Sequence, residues 1–220
     1  IYYIFIMKNF SNKIKNILKK YGDNKILAIR IGRRPINNMI ENAFNIISLG
    51  KWNQLRNKYY YDKLFHLFLI ITLDNGTVLS FEKNDIVNMT ENDSRCSMKN
   101  VECIEIEYPQ NSLTVNELVK KPLDRIGNDS YFVYDPFEKN CQIFIRSVLQ
   151  TFGLYNDKIN EFVYQDLQNI IKELPFYVKW SAKKATDTTA FVKKISGAGD
   201  QKNRDLQEIS KFILEEIIEI

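Results

Sequence analysis

One cysteine placed at the start of a helix and the chain's only histidine are the residues best suited to covalent chemistry. Cys141 follows Asn140 at the head of Asn140-Cys141-Gln142-Ile143-Phe144-Ile145, and an amphipathic run continues to Gly153. The first-turn N–H groups of a helix lack intrahelical acceptors and carry the positive end of its dipole. A thiol there ionises more readily, and the thiolate is the nucleophile. His66 lies in the apolar run Leu64 to Leu73, the strongest strand pattern in the chain. Cysteine hydrolysis needs a thiolate, a base that takes and returns its proton, and a group that orients the base. Cys141 and His66 fit the first two roles.

The third role follows from the hairpin register. Asp74-Asn75-Gly76 is a strong turn signal, and Thr77 to Phe81 reads as the returning strand. With a three-residue loop, Leu73 pairs with Thr77 and His66 stands opposite Asn84. Ser80 and Glu82 then share the face of His66, with Glu82 diagonally across, and Glu82 ranks first because it can carry charge. A two-residue loop would reverse the parity and remove both. The plainer alternatives are a structural buried histidine and a cysteine used as a small core hydrophobe. Cys96 reads as a loop residue and Cys103 as a buried strand residue. The three cysteines and His66 lack the paired spacing of zinc ligands, so neither a metal nor a cofactor is expected.

The remaining elements must hold this pair. Met7 to Tyr21 carries one apolar stripe and reads as a surface helix ending near Gly22. Ile26 to Ile31 is a short strand, Arg33-Arg34-Pro35 a turn, and Ile36 to Leu49 a second helix. The basic and aromatic stretch Lys51 to Tyr61 resembles single-stranded nucleic-acid binders, but its tyrosines fit the edge of a core better. Asp85 to Asn100 reads as a polar loop with short strand potential at Ile86-Val87, and Val101 to Tyr108 as a strand. Thr114 to Glu117 fits a capping box that opens a helix. Tyr131 to Tyr134 is a short extended segment. The Cys141 helix runs to about Phe152, with Gly153 as its C-terminal stop, and Asp157 to Leu174 is a further helix closed by Pro175. Beyond it lie a basic tail and a last amphipathic helix, Asp205 to Ile220.

At 220 residues and 45% hydrophobic composition, the chain can bury a core as one domain with extensions. A net charge of +4 permits contact with anionic partners without arguing for it. An odd number of cysteines without CxxC spacing favours free thiols and a reducing compartment over a disulfide scaffold. The apolar start, Ile1 to Ile6, is too short to span a bilayer, and it reads as a strand, a short anchor or sequence upstream of a start at Met7. Richness in Lys, Asn and Ile is the bias that AT-rich genomes impose.

Taken together, Phe65-His66-Leu67 in its strand and Asn140-Cys141-Gln142 with Phe144, Leu149 and Gly153 resemble the circularly permuted papain-like fold. That group includes the lecithin:retinol acyltransferase-like proteins and the permuted NlpC-type hydrolases. More narrowly, Tyr61 to His66, Phe81 to Asn84 and Phe137 to Phe144 are similar to uncharacterised permuted NlpC-like proteins of large DNA viruses. The resemblance covers about residues 28 to 175. It implies an α+β fold with a small antiparallel sheet packed on helices, one of which bears the cysteine. It implies three regions: an N-terminal extension (1–25), the permuted domain (26–175) and a basic tail with an amphipathic helix (176–220). Carried over, Cys141 is the nucleophile, His66 the base and Glu82 (or Ser80) the orienter, this third position departing from the histidine common in acyltransferase-like members. The implied activity is that of a cysteine hydrolase or acyltransferase acting on peptide amides, cell-wall peptides or lipid esters. The alternative is a non-catalytic virion structural or interaction protein that retains the fold. Either implies a host cytoplasm or virion setting, with viral structural proteins or a membrane surface as partners and nucleic acid the weakest choice.

Overall fold

The computed structural model describes residues 9–36, 41, 45, 48–61, 63–84, 86–109, 113–165, 167–176 and 178–179. In chain order they form α1 (Asn12–Tyr21), β1 (Ile26–Pro35), α2 (Lys51–Lys58), β2 (Phe65–Leu73), β3 (Val78–Lys83), β4 (Val87–Glu91), a 3₁₀ turn (Arg95–Ser97), β5 (Glu102–Glu105), α3 (Val115–Phe132), α4 (Cys141–Thr151), α5 (Asp157–Val163) and α6 (Gln168–Glu173). They divide into two compact units, residues 1–35, 65–134 and 138–164 in the first and 36–64, 135–137 and 165–220 in the second. The class is α+β, as expected. Among the described residues no helix is long and apolar enough to cross a membrane.

The first unit is a five-stranded antiparallel sheet in the order β4-β3-β2-β1-β5. Strand alternation gives it two unlike faces. Leu67, Leu69, Ile71, Leu79 and Phe81 join one core with Phe144, Ile145 and Val148 of α4. His66, Phe68, Ile70, Ser80 and Glu82 occupy the alternate positions and point the other way. In the second unit, Trp52 and Leu55 of α2 pack with Ile170 of α6, Leu64 and Leu174. Tyr59 and Tyr61 lie partly buried against this core, as the core-edge reading has them, whereas Tyr60 is exposed.

Several element boundaries differ from the sequence reading. α1 begins at Asn12 because Ser11 caps it, its Oγ accepting the Ile14 N–H at 3.3 Å. β1 does not turn at Arg33-Arg34-Pro35, since these residues pair with Leu67, His66 and Phe65 of β2. Arg33 also bonds Glu102 of β5 at 2.7 Å and lies over the Phe65 and Phe162 rings. Pro35 ends the strand, where its missing N–H costs no ladder bond. The helix expected over Ile36 to Leu49 lies mostly outside the described residues, as do the extension 1–8, the basic tail beyond Lys179 and the helix from Asp205 to Ile220.

The expected polar loop holds β4, whose Val87 and Met89 face the core. The strand potential expected at Ile86-Val87 is thus realised one residue later and extends to Glu91. The capping box at Thr114 and Glu117 is formed. The α3 helix it opens kinks at Gly127 (φ 77°) and continues through Phe132, so Tyr131 and Phe132 are helical rather than extended. Burial of Tyr131, whose hydroxyl donates to the Val119 carbonyl at 2.7 Å, holds that last turn. The single helix expected over Asp157 to Leu174 is broken into α5 and α6, with Val163 buried in the first core and Ile170 in the second.

Gly32 sits opposite Phe68, and a Cβ there would meet the Phe68 ring at 2.2 Å. Gly32→Ala is therefore expected to destabilise the protein by about 1–3 kcal/mol through overpacking, read as a lower urea midpoint with an unchanged slope.

Candidate active site

The hairpin sets the geometry. Asp74, Asn75 and Gly76 form the loop, with the Leu73 N–H donating to the Thr77 carbonyl at 2.9 Å and Gly76 at a positive φ of 81°. This three-residue loop pairs Phe68 with Glu82 and Ile70 with Ser80. Glu82 thus lies diagonally across from His66 on the same face, and the His66 Nε2 to Glu82 Oε2 distance is 2.8 Å. Ser80, the other candidate, is fully buried one pair further along, and its Oγ has no hydrogen-bond partner among the described residues. The carboxylate, not the hydroxyl, holds the imidazole.

Cys141 is brought to this pair by α4. Asn140 caps the helix, its Oδ1 accepting the N–H groups of Gln142 at 3.0 Å and Ile143 at 3.1 Å. At the far end the Leu154 N–H donates to the Leu149 carbonyl and the Gly153 N–H to the Gln150 carbonyl, a Schellman stop with Gly153 at φ 68°. Between these caps, Phe144 packs edge-to-face on Phe81 of β3 with ring centres 5.2 Å apart. Cys141 is 7% exposed as a residue; its thiol is hydrogen-bonded to His66 and receives the backbone N–H of Leu67 and that of Gln142, the latter shared with Asn140.

The electrostatics follow from burial and charge order. Burial pushes the Cys141 thiol up, but the His66 charge, its hydrogen bond and the two backbone donors outweigh this and bring it below its ordinary value. Burial likewise disfavours a charged His66. The Cys141 charge and hydrogen bond, then Glu82, overcome it and hold the imidazole at about 9. Glu82 is buried too, yet hydrogen bonds from His66 and from Arg95 bring its carboxyl down to about 2. The shifts favour the charged form at each of the three, a thiolate, an imidazolium and a carboxylate in sequence, with Nε2–H of His66 donating to Glu82.

Two cations here had no place in the sequence reading. Arg95 Nη1 reaches the same Glu82 Oε2 at 2.8 Å. Lys83 is fully buried, and its Nζ donates to the carbonyls of Ser130 (2.9 Å) and Val133 (2.6 Å) at the end of α3. Burial and then the charge of Lys139 lower Lys83 to about 8, against the attraction of Asp129 and Cys141. Strand alternation put Lys83 inward with Leu79 and Phe81, so that signal was available. Nothing in the polar stretch around Arg95 singled it out.

Cys96 and Cys103 are joined in a disulfide with Cα atoms 5.8 Å apart, so the expectation of free thiols holds for Cys141 alone. Their spacing of seven residues gave no clue that a turn brings them together. Among the described residues no three His, Cys, Asp or Glu side chains converge as a metal site requires.

Comparison with protein-family models, with curated proteins and with solved structures finds no match to this chain. The chemistry therefore rests on the geometry.

Because His66 is the only histidine, its ring gives one set of nitrogen resonances. These are expected to stay in the imidazolium form through neutrality and titrate near about 9; a titration near 6.5 would contradict the ion pair. The raised His66 contributes stability that is complete below its ordinary value of 6.5 and is lost as pH rises through about 9. Glu82 has the opposite sign, its contribution being complete above 4.5 and lost as pH falls toward about 2. The Glu82→Gln change is expected to move the His66 midpoint down and to lower stability by about 3–5 kcal/mol, since it takes the buried carboxylate from His66 and leaves Arg95 with Asp93 alone.

Proposed function

We propose that this protein is a cysteine hydrolase or acyltransferase of the permuted papain-like kind. The observation that carries the reading is the placement of His66 between the Cys141 thiol and the Glu82 carboxylate, whose Oε2 lies 2.8 Å from His66 Nε2. A buried histidine with an ordinary structural role has no need of a thiol on one side and a carboxylate on the other. The chain order also fits: the histidine strand and its carboxylate neighbour precede the cysteine helix, which packs on β2 and β3. That order is the one expected of the permuted arrangement.

In this mechanism the Cys141 thiolate attacks the carbonyl carbon of an amide or ester. The carbonyl π electrons move to oxygen, giving a tetrahedral oxyanion. The N–H groups of Gln142 and Ile143 are engaged by Asn140, so we assign the Cys141 N–H at the head of α4 to the oxyanion. The imidazolium of His66 then gives its proton to the departing amine or alcohol, and a thioester remains on Cys141. Neutral His66 next takes a proton from water or from an acceptor alcohol, which attacks the thioester. The acyl group leaves, and Cys141 returns as thiolate beside a protonated His66. Glu82 holds the ring and stabilises its charge throughout. The substrate classes remain those the resemblance implies: peptide amides, cell-wall peptides or lipid esters.

The test is mass spectrometry of the intact protein after exposure to a p-nitrophenyl acyl ester, followed by turnover. Wild type should gain one acyl group on Cys141, and Cys141→Ala should lose turnover by at least ~10³-fold while keeping its fold. The alkaline limb of the rate should fall near about 9, where His66 ceases to be an acid. Turnover that survives in Cys141→Ala would end the proposal. One observation favours the second reading, a non-catalytic virion or interaction protein: Cys141 is only 7% exposed. On that reading the imidazole titrates as a paired group, yet no ester acylates Cys141.

A further inference from the structure

Arg95 is absent from any family role carried over above, yet it touches the site more tightly than its loop position suggests. Its Nη1 lies 2.8 Å from Glu82 Oε2, the same oxygen that receives His66 Nε2. Its Nε lies 2.7 Å from Asp93 Oδ2, and its backbone N–H donates to Asp93 Oδ1 at 2.9 Å. The guanidinium stacks over the Phe68 ring with 3.9 Å to the centroid. Phe68 in turn lies against Gly32, where no side chain intervenes. The side chains of Arg95, Glu82 and Asp93 are 14%, 8% and 7% exposed. A surface arginine needs none of this; an arginine whose task is to fix a carboxylate needs all of it.

The backbone carries a second, independent restraint. β4 and β5 are the two edges of the sheet, so the segment joining them must pass from one edge to the other. Arg95 rides on that segment, and the next residue, Cys96, is bonded to Cys103. Cys103 pairs with Gly32 across β5 and β1, on the register line that continues through Phe68 to Glu82. The disulfide thus ties the arginine-bearing turn to the same row of residues that the guanidinium covers.

We propose that Arg95 is a positioning residue of the thiol site, acting on His66 through Glu82, and that the Cys96–Cys103 disulfide is the tether that holds it there. This rests on the hydrolase reading, because it supposes that the orientation of His66 toward Cys141 has consequences for the thiol. Two donors on one oxygen leave Glu82 a single seat. Without Arg95 the carboxylate can swing, and the His66 ring turns with it.

The experiment measures iodoacetamide alkylation of Cys141 between pH 5 and 9 by mass spectrometry. The His66 Nε2–H proton resonance is followed in the same full-length proteins. Arg95→Gln should react about tenfold more slowly than wild type near neutral pH, as an unactivated thiol does, and its Nε2–H signal should broaden through faster exchange. Arg95→Lys, which keeps a cation on Glu82, should recover most of both. The double change Cys96→Ser with Cys103→Ser, and separately Asp93→Asn, should shift rate and signal in the direction of Arg95→Gln by smaller amounts. A purely structural arginine would lower the melting temperature and leave the rate profile and the imidazole signal unmoved. A folded Arg95→Gln with both readouts at wild-type values overturns the positioning role. If that variant fails to fold, Asp93→Asn at wild-type values overturns it instead. Wild-type values in the double-serine protein overturn the tether. A wild-type Cys141 that titrates as an ordinary thiol regardless of His66 is a different failure, of the hydrolase reading itself, and takes this inference with it.

Discussion

The first unit depends on how Glu82 is neutralised. A carboxylate that is 8% exposed on a central strand is an expensive group, and it is tolerated only because two donors converge on one of its oxygens. The charges extend in both directions in alternating sign. Lys83 attracts the Cys141 thiolate, Cys141 faces the His66 imidazolium, His66 faces Glu82, Glu82 faces Arg95, and Arg95 faces Asp93. Three positive and three negative groups leave no net charge in the row when all are ionised. His66 favours the ionised forms of Cys141 and Glu82, they favour its own, and Arg95 adds a hydrogen bond to Glu82, which is why burial, the largest influence on His66, Glu82 and Cys141 individually, is overcome at all three.

The scaffold around that row is built to keep positions rather than to add stability of its own. The sheet offers one face to the helices and reserves the other for Gly32, Phe68, Glu82 and His66. Cys141 reaches the pair from the head of α4, where the Asn140 cap fixes the first turn and the Leu67 N–H of β2 meets the sulfur. Helix and strand are thus joined at the sulfur itself. Lys83 joins the neighbouring strand, β3, to a second helix end, because its ammonium satisfies two carbonyls that α3 cannot. The hydrophobic contacts of Phe144 with Phe81 and Tyr131 make these placements cooperative.

How much of this was legible in the sequence depends on the range of the interaction. The hairpin was readable, since Asp74-Asn75-Gly76 marks the turn locally; whether the loop has three residues or two stayed open, and with it the parity that puts Glu82 beside His66. The cap at Asn140, the stop at Gly153 and the capping box at Thr114 were readable for the same reason. Arg33-Arg34-Pro35 was misread as a turn because the pairing with β2 and β5 that straightens it is made by residues thirty or more positions away. Arg95 and the disulfide were out of reach altogether. Each depends on the path of a connecting segment over a sheet, which no local spacing encodes. Tyr131 was misassigned because its burial, rather than the helix propensity of the residues around Gly127, decides where α3 ends.

One consequence of the charge row bears on why the thiol is so little exposed. A thiolate in open water gains little from a single imidazolium, because the solvent screens the pair. Moved to a site where water is scarce, the same pair is strong, but only if the imidazolium is itself supported; otherwise the proton returns to sulfur and both groups become neutral. Glu82 supplies that support, and Arg95 keeps Glu82 from claiming the proton in turn. The low exposure of Cys141 and the length of the row are therefore linked. A shallower site needs only two members, and one this enclosed needs the carboxylate and its arginine as well.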